Sequence, residues 1–139
     1  ISGMVNLTWK GGLAFEAVPP SGKTMTFDST PDGSEPHGAS PMEALLAAIA
    51  ACSAMDVISI LEKKRQKVTS YRIEIEGERS PEGEWPRPFT KIEVRHIVSG
   101  ESIDPDALAR SVQLSDEKYC SVLATLRLGP EVGSAWAIE

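Results

Sequence analysis

"GASPMEALLAAIAACSAMDVISIL", residues 38–61, is the stretch whose reading decides the fold. Ser40 suits an N-cap, Pro41 the first helical position and Glu43 the first turn. The stretch therefore predicts one long helix, running from there to about Gln66. Its middle is apolar on nearly every side, the mark of a helix buried all round. Alanines at 44, 47, 48, 50, 51 and 54 would let another backbone approach closely. Within the helix sits Cys52, one of only two cysteines; the other, Cys120, is far away in sequence. Cys52 is either a small hydrophobe filling a core or a nucleophile held in a dry site.

Strands are expected on both sides of this helix. "VNLTWK" (5–10), "LAFEAV" (13–18) and "TMTFD" (24–28) read as strands joined by "GG" and "PPSGK". Residues 29–40 form a turn-rich loop. "SYRIEIEGER" (70–79) and "TKIEVRHIV" (90–98) alternate, with Tyr71, Ile73 and Ile75 on one face and Ile92, Val94 and His96 on another. His96 reads as a structural histidine. "DPDALARSVQL" (104–114) is a helix capped by Asp104, and "SDEKYCSVLATLRL" (115–128) a further helix broken from it near Ser115. "GPEVGSAWAIE" reads as a turn and a last strand. The fold class is α+β, in the order βββ-α-ββ-αα-β. Residues 4–139 read as a single domain, with "ISG" (1–3) as an expression-tag remnant. Two strand blocks in a small chain are hard pressed to bury so apolar a helix, so a homodimer is expected.

Composition limits the partners. The 139 residues carry a formal net charge of −6, which argues against nucleic acid and anionic lipid. The short run "EKKRQK" (62–67) is the dipole-matched end of a helix. The uncharged run 44–55 is shorter than the roughly 20 residues of a spanning helix, so no membrane partner and a cytoplasmic location are expected. In a reducing compartment two cysteines are thiols or a catalytic pair more readily than a staple. Their number and spacing do not make a zinc site, and His37 and His96 have no ligand at the usual spacing, so no metal is expected. Cys120, in an early helical turn near Lys118, reads as the more acidic thiol. Asp56 shares the helix face of Cys52 and would raise its pKa if ionised and close.

Two separated motifs resemble the OsmC/Ohr family, most closely its YhfA-like branch. One is Gly38, Pro41 and Cys52; the other is "CSVLATL" (120–126). The opening "WKGGLAF" and the strand order also look like the family. The resemblance implies an intertwined α+β dimer around paired central helices. It implies a thiol-dependent peroxidase acting on hydroperoxides, with Cys52 as peroxidatic and Cys120 as resolving cysteine. No bound cofactor is implied, and an external dithiol reductant restores the thiols. This chain departs from the active pattern at two places. Met42 follows Pro41 where those relatives have glutamate, and Glu43 comes one position, about 100° of helix, later. No arginine precedes Arg65; Lys10 and Lys23 are the only lysines or arginines in the first 60 residues. Glu43, Asp56 and Lys10 are therefore the candidate supporting groups. Activity is expected to be weakened, with redox sensing, or binding of a small ligand in an apolar pocket at the dimer interface, as alternatives.

Overall fold

A computed structural model describes residues 3–139. Ile1 and Ser2, two of the three residues read as a tag remnant, lie outside the described residues. The chain divides into two compact units, Ile1–Leu46 and Ala47–Glu139, with the long helix running through the boundary.

The amino-terminal unit is an antiparallel meander, β1 (Asn6–Trp9), β2 (Phe15–Val18) and β3 (Met25–Phe27). Its register pairs Trp9 with Phe15 and Phe15 with Phe27. The first reversal uses Gly11 and Gly12 at φ 104° and 54°, angles open to glycine without the Cβ clash of other residues. The loop after β3 is tied down by buried Asp28. Its Oδ1 accepts from the Ser29 N–H and its Oδ2 from the His37 N–H, at 2.7 and 2.9 Å. The chain then pairs Phe27 with Ala39. A Cβ on Gly38 would fall on the Thr26 carbonyl oxygen, so that position requires glycine.

Helix α1 spans Pro41–Lys63. Its start is a reciprocal cap: the Glu43 N–H donates to Ser40 Oγ at 3.2 Å and the Ser40 N–H donates to Glu43 Oε1 at 2.8 Å. The helix stops three residues before the predicted end. Arg65 turns left-handed at φ 58°, and the Gln66 N–H closes back on the Leu61 carbonyl at 3.0 Å. By length and composition α1 is also long and apolar enough to cross a membrane, a test that the shorter uncharged run 44–55 did not meet.

In the second unit, the buried positions of α1 are Ile49, Ser53, Val57 and Leu61, a strict four-residue stripe. Val57 and Leu61 pack with Ala107, flanked by Val68, Tyr71, Val98, Leu108 and Val112. The strands are longer than predicted. β4 (Lys67–Arg79) and β5 (Phe89–Glu101) form an antiparallel hairpin with shifts at Val68/Ser70 and Glu78/Arg79. Alternation is as read: Tyr71, Ile73 and Ile75 are half-buried between exposed neighbours. Tyr71 Oη lies 2.6 Å from His96 Nδ1. His96 is thus satisfied by a neighbouring strand. Burial holds its pKa below the ordinary histidine value, against the upward pull of the Asp116 carboxylate, and burial pushes the Tyr71 phenol up to about 12.

Helix α2 (Pro105–Leu114) is capped by Asp104, whose Oδ1 accepts from the Asp106 N–H at 3.0 Å. A wide π turn, Ser115–Tyr119, follows, and α3 covers Ser121–Leu128. The last strand is not formed. Gly129, left-handed at φ 57°, ends α3, and residues 129–139 are irregular. A strand needs a neighbour for its N–H and C=O groups. The segment has none here, and Val132, Trp136 and Ile138 are exposed.

Candidate functional site: a thiol pair beside a carboxylate

The site is built by two elements of the second unit. Cys52 and Asp56 are one turn apart on the same side of α1. Cys120 arrives from the end of the π turn. Its N–H donates to the Ser115 carbonyl five residues back, at 2.9 Å, and its extended backbone (φ −75°, ψ 102°) makes it the N-cap residue of α3. A π turn takes up an extra residue relative to α geometry. The ligand atoms of Cys52, Asp56 and Cys120 all lie within 4.8 Å of one another. Both cysteines are free thiols, Cys120 buried and Cys52 partly so.

Ser115 couples the two elements. Its buried hydroxyl donates to Asp56 Oδ2 at 2.9 Å and lies 3.2 Å from Ser53 Oγ, which is also buried. The turn is also held from α3, where the Arg127 guanidinium donates to the Asp116 carbonyl at 2.6 Å. Sequence reasoning singled out the thiols and Asp56 but missed Ser53 and Ser115. Ser53 carried a signal: it falls on the otherwise apolar four-residue stripe. Ser115 was seen only as a helix break.

The lowered pKa expected for Cys120 at a helix start is not found. Burial pushes the Cys120 thiol up, and the Cys52 side chain adds to the rise by its hydrogen bond and proximity. The Leu123 and Val122 N–H groups at the start of α3 pull the other way but do not prevail. Cys120 lies ahead of the helix, not in an early turn, and the Lys118 ammonium sits over the Tyr119 ring at 5.2 Å.

Glu43 and Lys10 belong to the amino-terminal unit. Glu43 is committed to its cap, where the Ser40 N–H holds its exposed carboxyl below the usual range. Lys10 is at the β1–β2 turn and lines an open hollow of about 570 Å³ with Asp28, Asp32, Glu35 and His37.

The model of the OsmC family, described as OsmC-like protein, matches residues 32–134 and so includes both cysteines and the elements that carry them. This chain belongs to the OsmC family. Its sequence is similar to that of the protein YhfA of Escherichia coli K12, 38% identical over 130 residues, covering 94% of this chain and 93% of YhfA. The OsmC-type fold is shared with a hypothetical protein from Aquifex aeolicus VF5, 34% identical, TM-score 0.79, covering 92% of this chain and 88% of the other. The organic hydroperoxide resistance protein OhrB of Bacillus subtilis has the same fold at 21% identity and TM-score 0.56, covering 88% and 90% of the two chains. In this OsmC-family chain the second motif, Cys120–Leu126, is the cap and body of α3.

Proposed function

We propose that this chain is a thiol-based redox protein that reduces hydroperoxides with Cys52 and Cys120. The observation that carries the reading is the approach of two free thiols, 68 positions apart, to within 4.8 Å. Family membership supports it, as does the naming of OhrB as a hydroperoxide resistance protein.

The chemistry runs in three steps. Cys52 sulfur attacks the distal oxygen of ROOH, the O–O bond breaks, and the products are Cys52–SOH and ROH. The thiol proton passes by way of the Asp56 carboxylate to the leaving alkoxide. Cys120 sulfur then displaces water from the sulfenic acid, forming the Cys52–Cys120 disulfide and sparing Cys52 from over-oxidation. An external dithiol exchanges with that disulfide and becomes oxidised in turn.

The working form is a cytoplasmic homodimer. Ala47, Ala48, Ala51 and Met55 form an exposed apolar face on α1, and Met55 alone is 70% exposed. A folded monomer in sedimentation at low micromolar concentration would overturn the dimer.

The decisive assay is consumption of an organic hydroperoxide with dithiothreitol. Wild type should turn over and Cys52→Ser should be inactive, and with the reductant left out Cys120→Ser should consume one equivalent and stop at the sulfenic acid. Equal consumption by wild type and Cys52→Ser would overturn the reading. One observation favours a second reading, dithiol sensing without efficient turnover. The charged neighbour of the thiols is a carboxylate, which opposes thiolate formation. Slow disulfide formation under peroxide, at rates no greater than those of a free thiol, would mark that outcome.

A further inference from the structure

Cys52, Asp56 and Cys120 form a donor set that goes beyond a pair of reactive thiols. We infer that the reduced protein binds one zinc ion through Cys52 Sγ, Cys120 Sγ and one oxygen of Asp56, with the fourth position open to water or an external thiol.

Three features of the structure carry this. The first is convergence: three potential ligands from two separate elements have their donor atoms within 4.8 Å of one another. Tetrahedral zinc with Zn–S near 2.3 Å holds its sulfurs about 3.8 Å apart. The donor atoms are therefore within about an ångström of that spacing. The second is the support of the carboxylate. Ser115 Oγ donates to Asp56 Oδ2 at 2.9 Å, leaving Oδ1 for the metal. Ligating carboxylates are characteristically held by such outer hydrogen bonds. The third is donor chemistry. Two thiolates and a carboxylate are a borderline-soft set that suits zinc and disfavours magnesium or calcium.

Binding is balanced in protons: two thiols and Zn²⁺ give a zinc dithiolate and two H⁺ released. The ion then occupies both sulfurs required for disulfide formation. Zinc and oxidation are thereby mutually exclusive at this site. The zinc site itself does not depend on peroxide turnover, so an enzyme inactive toward hydroperoxides would still be expected to bind the ion.

The test uses full-length protein, reduced and freed of metal, titrated with Zn²⁺ against a chromophoric chelator and, separately, with Co²⁺ as a spectroscopic probe. One equivalent of zinc should bind wild type. Cys52→Ser and Cys120→Ser should each weaken it at least 100-fold, and Asp56→Asn about 10-fold or more. Co²⁺ should show thiolate-to-metal charge transfer, roughly halved in either serine variant and retained in Asp56→Asn. Ser115→Ala should lower zinc affinity about 10-fold while leaving the charge-transfer band in place at saturation. Circular dichroism establishes that each variant is folded, and Asp56→Asn provides an arm that leaves the buried thiol untouched. Failure of the reduced wild type to compete for zinc, or a Co²⁺ complex without thiolate charge transfer, would overturn the proposal. So would zinc binding unchanged by both cysteine substitutions.

Discussion

Replacing Ser115 with alanine should cost about 2–3 kcal/mol of stability, far more than its size suggests. The serine is fully buried, and its hydroxyl is the link between the π turn and α1. A single hydroxyl proton cannot serve both neighbours, and the carboxylate is the stronger acceptor. The bond to Asp56 Oδ2 is therefore the principal one, and bonds to charged groups contribute about 1.5–3 kcal/mol. Asp56 is only partly buried, so water can replace some of what it loses, which places this loss near 2 kcal/mol. The 3.2 Å approach to Ser53, buried and without bulk water to replace it, adds roughly 0.5–1 kcal/mol. With a urea slope of about 1–3 kcal/mol per molar, the unfolding midpoint should fall by about 1 M. Ser53→Ala should cost less, about 1 kcal/mol. The double variant should cost less than the sum of the two, because the residues share one network. Urea unfolding followed by circular dichroism, at one fixed protein concentration so that any association contributes equally, reads all three. A Ser115→Ala cost below about 0.5 kcal/mol, or one smaller than that of Ser53→Ala, would refute the assignment of Ser115 as the link.

The Tyr71–His96 pair should make stability sensitive to acid. The folded pKa of His96 lies below its ordinary 6.5 because of burial, so the unfolded chain takes up the proton first. The contribution is complete above the unfolded value and is lost as pH falls through the folded one. NMR titration of His96 checks this, and Asp116→Asn, by removing the group that pulls the pKa up, should lower it further; a folded pKa above 6.5 would contradict it. Ser40→Ala removes half of the reciprocal cap of α1 and should cost about 1 kcal/mol in thermal or urea unfolding. Gly38→Ala sets a methyl against the Thr26 carbonyl and should destabilise by about 1–3 kcal/mol, with unchanged stability the contrary result.

Much of this protein is decided by local chemistry and was readable from residues alone. Ser40, Pro41 and Glu43 start the long helix because a cap is made within one turn. Asp104 starts α2 for the same reason. Period-two alternation placed Tyr71 and His96 on half-buried strand faces, and the two cysteine motifs pointed to the OsmC family that the comparison then showed. What the sequence could not decide depends on contacts between distant segments. The proximity of Cys52 to Cys120 was implied by resemblance, but no local rule brings together thiols 68 positions apart. The Cys120 thiol is not made acidic by its helix start, because the N–H groups of Val122 and Leu123 lower its pKa less than burial, set by the packed fold, raises it. Residues 129–139 alternate like a strand yet form none, because a strand exists only when another strand takes up its hydrogen bonds. Ser115, a helix break in sequence, became the tie to Asp56 only once packing excluded water around both buried hydroxyls and left the carboxylate as the acceptor within reach.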